Sequence, residues 1–218
     1  LTSNDGSYRA GAYDLANGYS TPTGTLDVAA AGLVELKPEV ELVNVDLYDE
    51  KPPFYSYDLY KRAWYPVFNE AYEPTKVEEM ALNYVTGQAE KFNNADVLVL
   101  TVPMWNFSVP AIMKAWMDQI LLPGQTFSID KEEGVKGLHQ VKRIVLLVSS
   151  GGVYKEDDDR DALTRQIRHA FEFIGISEMD VVWAEGQNPL FFDNCAENLE
   201  VALEAAVEVA EDIAEIEG

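Results

Sequence analysis

The chain has 218 residues, 47% of them hydrophobic, which is enough to bury one sizeable core, and nothing in it marks a domain boundary, so residues 1–218 read as a single domain. It carries 38 acidic against 16 basic residues, a formal charge of −22, and this excludes nucleic acid as a partner because neutralising phosphates takes clustered Lys and Arg. A lone cysteine, Cys195, rules out an internal disulfide, a zinc finger and a thioredoxin-type pair, and without a membrane-spanning apolar run or an apolar leader the protein is expected to be soluble and cytoplasmic, with no membrane partner.

In chain order, Thr21-Pro-Thr-Gly-Thr-Leu26 joins hydroxyls and a glycine to the start of a helix over residues 26–36. Such a segment is either an ordinary N-cap or a phosphate cradle, since the free N–H groups and dipole of a first turn draw an anion while Thr21 and Thr23 donate to it. Residues 40–47 alternate and end in acidic turn residues, which predicts a strand. The tract 52–75 concentrates Phe54, Tyr55, Tyr57, Tyr60, Trp64, Tyr65, Phe68 and Tyr72. It reads either as a long connection packed over the sheet or as an aromatic wall for a flat ligand or a second subunit. A helix follows over residues 76–92.

Residues 96–102 and 141–148 are nearly continuous apolar runs, as expected of strands buried on both faces, and should be central. Between them Pro110 opens a helix over 110–122, whose Ile112, Met113, Trp116, Met117 and Ile120 suit either the core or a subunit contact. A helix over 161–173, a strand over 179–184 and a helix over 196–216 close the chain. Asn194 and Glu197 have capping-box spacing, and the stripe Leu199, Leu203, Ala206, Ala210, Ile213 should pack on the sheet. Strands alternating with helices make an α/β fold with a parallel sheet covered on both faces. The acidic runs at 156–159 and 208–217 form a solvated surface whose self-repulsion added salt should relieve.

No Walker pattern, G-x-G-x-x-G or G-x-S-x-G is present, which argues against a nucleoside triphosphatase, a primary dinucleotide fold or a serine hydrolase. His139 and His169, the only histidines, sit in no metal motif. Chemistry then falls to the loops that leave the carboxyl ends of the strands. There Thr101-Val-Pro-Met-Trp-Asn-Phe-Ser-Val-Pro110 runs from a buried strand into a helix. Together with Gly124-Gln-Thr-Phe127, Val148-Ser-Ser-Gly-Gly152 and Ala184-Glu-Gly186, this segment resembles the FMN-dependent NADH-azoreductase family, relatives of the flavodoxin-like NAD(P)H:quinone oxidoreductases. The resemblance covers residues 40–186.

The resemblance implies a flavodoxin-like, doubly wound, five-stranded parallel sheet in the order 2-1-3-4-5. It implies FMN contacts at Ser3, Thr21, Pro22 and Thr23, then along the flavin ring at Met104, Trp105, Asn106 and Phe107, and in a third loop at Ser149, Ser150, Gly151 and Gly152. A flat ring needs flat apolar neighbours, and paired glycines let backbone groups come close to it. Trp105 stands where Tyr is commoner in the family, and Ser150 where Arg is frequent. The implied activity is ping-pong hydride transfer from NADH, or NADPH, through FMN to a quinone or azo compound, with no side chain nominated as acid or base and no metal. The family works as a homodimer, and Phe127 is the candidate acceptor contact across the subunit boundary. A flavodoxin-type one-electron carrier, or a non-enzymatic acidic interaction protein on a decayed scaffold, are the alternatives. One departure stands out: no apolar strand precedes Thr21, so the first strand is expected to be truncated at Leu1, with residues 4–20 forming a long first loop.

Overall fold

The computed structural model describes residues 8–14, 40–154 and 157–215. Five parallel strands form the main sheet: β1 (Tyr8–Asp14), β2 (Val40–Asp46), β3 (Val97–Pro103), β6 (Arg143–Ser149) and β7 (Glu178–Ala184), in the spatial order β2-β1-β3-β6-β7. A separate antiparallel hairpin joins β4 (Phe127–Asp130) to β5 (Gly134–Gly137). The helices are α1 (Tyr57–Phe68), α2 (Lys76–Ala81), α3 (Asn83–Asn93), α4 (Ala111–Ile120), α5 (Ala162–Glu172) and α6 (Cys195–Glu215). The helix expected over 26–36 and the loop Thr21–Leu26 lie outside the described residues.

The expectation of a truncated first strand is corrected here. Tyr8–Asp14 lies between β2 and β3, paired from Tyr8 with Val40 to Asp14 with Asp46 on one side and from Ala10 with Val97 to Asp14 with Thr101 on the other. Part of the expected first loop is therefore strand. A ladder is made of backbone N–H and C=O groups, which every residue of Tyr-Arg-Ala-Gly-Ala-Tyr-Asp supplies, so a central strand does not require an apolar run.

The pleat of β3 sends Leu98, Leu100 and Val102 to one face and Val99 to the other. The first face, with Ile144, Leu146 and Val148 of β6, buries Phe92 of α3, Met113, Trp116, Met117 and Ile120 of α4, and Leu163, Ile167 and Phe171 of α5. The second, with Val145, Leu147 and Val182, buries Ala202, Ala206, Ala210 and Ile213 of α6. Each fully buried large apolar side chain contributes about 1.5–3 kcal/mol, so the broad stripe of α4 belongs to the chain's own core. Of the expected α6 stripe, Leu199, Ala206, Ala210 and Ile213 pack on the sheet, with Ala202 in the place expected of Leu203. At its start Asn194 Nδ2 donates to Asn198 Oδ1 at 2.9 Å.

The aromatic tract, read either as a connection or as an aromatic wall, is helical over Tyr57–Phe68. Ser56 Oγ accepts from Leu59 N–H at 3.1 Å to cap α1, and Leu59 and Ala63 bury its inner side against Leu82, Val85 and Leu122. The expected helix over 76–92 is two helices divided at Leu82. Thr75 and Glu78 form a capping box at the start of the first.

Candidate active site

The carboxyl ends of β3, β6 and β7 converge on one place. After β3, Met104 N–H donates to the Ser149 carbonyl at 2.8 Å, tying the first turn to the end of β6. Trp105 and Ser108 then close the turn with two reciprocal backbone hydrogen bonds of 3.0 and 3.1 Å, and the residues between them take left-handed conformations, Asn106 at φ 50° and Phe107 at φ 68°. Asparagine tolerates that region and phenylalanine does so at a cost. The turn is braced from α5: Ala162 N–H donates to the Phe107 carbonyl at 3.1 Å, and the Ser108 hydroxyl bonds Gln166 Oε1 at 3.1 Å.

After β6, the Ser150 hydroxyl donates to the Gly152 carbonyl at 2.9 Å, and Gly186 N–H to the same carbonyl at 2.9 Å. Ser150 N–H donates to the carbonyl of Ala184 at the end of β7, and the Ser150 carbonyl accepts from Gln187 N–H just beyond it. Gly186 cannot be replaced cheaply, since its φ is +65° and an added Cβ would lie 2.6 Å from Asn198 Nδ2. The loop beyond turns at Asn188, whose Oδ1 accepts from Leu190 N–H at 3.0 Å.

Between these loops lies a cleft of about 580 Å³, lined among others by Met104, Asn106, Phe107, Gly151, Gly152 and Phe191. That volume falls within the ~300–1,000 Å³ of small-molecule sites. Its walls combine apolar and aromatic side chains and glycine backbone with the polar groups of Asn106, Arg160 and Asn188, a set that suits a planar ring with polar edges such as the flavin of FMN. The cleft brings together five of the expected contacts: Met104, Asn106, Phe107, Gly151 and Gly152. Trp105 instead faces a neighbouring cavity that shares Asn106. Ser149 and Ser150 are buried and do not line the cleft, and the Ser150 hydroxyl is engaged by the Gly152 carbonyl. Ser3, Thr21, Pro22 and Thr23 lie outside the described residues.

Phe127 requires a correction as an acceptor contact. It is 1% exposed and packs in the core, 6.4 Å from the Trp64 ring and 5.3 Å from Phe173. Burying the first residue of the short β4 strand is what ties the hairpin to the body of the fold.

Sequence reasoning missed Tyr154, Arg160, Phe191 and Phe192, which also line the cleft. Arg160 lies over the Tyr154 ring at 5.1 Å and is held by the Asp158 carboxylate at 2.9 and 2.6 Å. The Asp158 hydrogen bond raises its pKa further. The signal was available in part, since Phe191-Phe192 is an aromatic pair following the last strand, where open sheets place ligand loops. Both histidines lie away from the cleft. His139 Nε2 is 3.1 Å from the Ile174 carbonyl with its pKa lowered by burial, and His169 is 3.5 Å from Glu172. Among the described residues, no helix is long and apolar enough to cross a membrane.

Comparison with known proteins agrees with this geometry. The family described as "Flavodoxin-like fold" matches residues 18–209. The FMN-dependent NADH:quinone oxidoreductase of Gluconobacter oxydans is 32% identical over 165 residues, covering 73% of this chain and 79% of the relative. That of Brevibacillus brevis is 33% identical over 172 residues, 78% of this chain and 81% of the relative. Among solved structures, the azoreductase from Bacillus anthracis superposes with a TM-score of 0.82 at 26% identity, over 94% of this chain and 99% of that one. On its fold, its cleft and these relationships, the chain belongs to the flavodoxin-like family of FMN-dependent NADH:quinone oxidoreductases.

Proposed function

We propose that the chain is an enzyme that carries two electrons from NADH, through FMN, to a small aromatic acceptor, a quinone or an azo compound. The observation that carries this reading is the strained turn at 104–107, which sets Met104 and Phe107 across one cleft from the Gly151-Gly152 backbone. Bound there, FMN would supply the hydride chemistry, accepting two electrons from NADH and passing them, with one solvent proton, to a quinone or an N=N bond. The chain's residues bind and orient. Met104 and Phe107 offer apolar faces, Asn106 offers an amide for polar groups on the ring edge, and the glycines admit the ring close to backbone N–H groups.

Donor and acceptor would occupy the same open face in turn, which is the basis of a ping-pong scheme. A cytoplasmic address goes with this reading, since NADH is supplied there. So does a homodimer, to which the exposed apolar side chains Tyr57 and Phe68 of α1 and Val77 and Met80 of α2 are available.

The test is anaerobic. NADH should bleach the yellow flavin of FMN-loaded protein and a quinone should restore it, and initial rates at several quinone concentrations should give parallel reciprocal plots. Flavin that stays oxidised under NADH ends the reading, whereas intersecting plots end only the alternating scheme. Sedimentation of a single-chain species that still turns over would remove the homodimer.

A further inference from the structure

The cavity beside the cleft is the larger of the two, about 820 Å³, and it shares Asn106 with the cleft. Trp105 forms part of its wall, so the turn presents Met104 and Phe107 to one space and Trp105 to the other. The cleft and the cavity therefore adjoin at Asn106.

The opposite wall is the loop between β2 and α1, and its neighbours hold it firmly. Glu50 accepts from Gln88 Nε2 at 2.6 Å and from Lys91 Nζ at 2.7 Å, while the Tyr84 hydroxyl donates to the Glu50 carbonyl at 2.9 Å. Gln119 Nε2 donates to the Pro53 carbonyl at 2.9 Å. These bonds from α3 and α4 fix the backbone on either side of Lys51 and leave Lys51 and Phe54 to line the cavity. Phe54 is 85% exposed, an aromatic ring held against water on an anchored loop. Lys51 makes no ion pair with an acidic residue among the described residues, although the chain has 38 acids for 16 bases. Long-range repulsion from such a surface disfavours anions, so an anion is held here only through a local cation. Exposed aromatic faces with a cation at the rim select an aromatic ring that bears an acid group.

We propose that this cavity is a second aryl subsite, which takes the far ring of an elongated acceptor between Phe54 and Trp105 and pairs its sulfonate or carboxylate with Lys51. The proposal rests on the electron-transfer reading above for the identity of the occupant.

The test compares hydroxyazobenzene with its sulfonate at saturating NADH and constant salt. In Lys51→Gln the ratio of kcat/KM for the sulfonate over the parent compound should fall about fivefold, the size of one exposed ion pair, and Lys51→Arg should restore it. Phe54→Ala should lower kcat/KM for both two-ring compounds relative to benzoquinone. An unchanged ratio in Lys51→Gln overturns the proposal. So does a raised KM for NADH in place of an altered ratio, which would give the cavity to the donor, or an altered sedimentation coefficient in its place, which would give it to a second copy. If neither dye nor benzoquinone oxidises NADH, the electron-transfer reading has failed on its own. Quenching of tryptophan fluorescence by the sulfonate then decides the subsite: weaker binding in Lys51→Gln supports it, and equal binding overturns it.

Discussion

Phe107 shows how one residue can be placed for a ligand against its own preference. A φ of 68° is unfavourable for a side chain with a Cβ, by about 1–2 kcal/mol, and Phe107 is also half in solvent. The Trp105–Ser108 bridge and the hydrogen bond from Ala162 impose the conformation, and its visible result is an aromatic ring on the wall of the cleft. Strain that persists where a ligand would lie is a mark of a functional position. Phe107→Gly separates the two effects. Glycine accepts the backbone angle but adds unfolded-state entropy of about 0.5–1 kcal/mol, so the melting temperature of the FMN-free variant should match or slightly exceed that of the wild type. FMN affinity should nevertheless fall about tenfold with the loss of one stacking face. A calorimetric scan of the FMN-free variant and a fluorescence titration with FMN measure the two. A melting temperature several degrees lower would show that the turn is unstrained.

Among the elements, α1 and α2 are joined by a buried acid. Glu78 Oε1 accepts from Lys61 Nζ at 2.5 Å, and its Oε2 accepts from Thr75 N–H at 2.8 Å and the Tyr72 hydroxyl at 3.0 Å. Lys61, then Thr75, pull its pKa down from 4.5 to about 2, and Lys61 is raised in return. A folded pKa below the unfolded one means that the stabilisation is complete above pH 4.5 and is lost as pH falls toward about 2. Glu78→Gln should therefore melt below the wild type at neutral pH, and the gap should close on acidification through that window; parallel melting curves down to about pH 2 would contradict it. This junction was hard to read in the sequence, because Tyr, Trp and Phe are indifferent helix formers and the Ser56 cap was hidden within an aromatic run. The strands β3 and β6 were legible because two-faced burial writes a continuous apolar string, and β2 because its residues alternate. β1 was not, since its place depends on backbone pairing with β2 and β3, and a ladder leaves no mark on side-chain hydropathy. At the site, the turn motif disclosed Met104, Asn106 and Phe107. Phe191 and Arg160 reach the cleft because the loops after β7 and β6 fold against the turn after β3, of which the aromatic pair Phe191-Phe192 was a partial local trace.

Over the whole molecule, charge opposes compactness. Within the described residues seven cations are engaged: Lys61 with Asp58 and Glu78, Arg62 with Glu79, Lys91 with Glu50, Lys114 with Asp118, Arg143 with Asp180, Arg160 with Asp158 and Arg165 with Asp159. What they leave over is a net charge of −22 spread on the surface, with exposed Glu200, Glu204, Glu208, Glu211 and Asp212 along the outer side of α6. Unfolding moves these charges apart, so their repulsion is greater in the native state, and screening it stabilises the fold. The Debye length shrinks from about 10 Å at 0.1 M salt to about 3 Å at 1 M, shorter than the roughly 5–6 Å between neighbours on a helix face. Ion pairs lose strength over the same range, but exposed ones contribute at most about 1 kcal/mol each, and the acidic excess outnumbers them. The melting temperature should therefore climb by several degrees between dilute buffer and molar sodium chloride, at about 2–4 °C for each kcal/mol in a chain of this size. Replacing Glu204, Glu208 and Glu211 by Gln together should reduce that climb by raising the low-salt value. A melting temperature that is flat or falling with salt would mean that the paired acids, and not the surplus, govern stability.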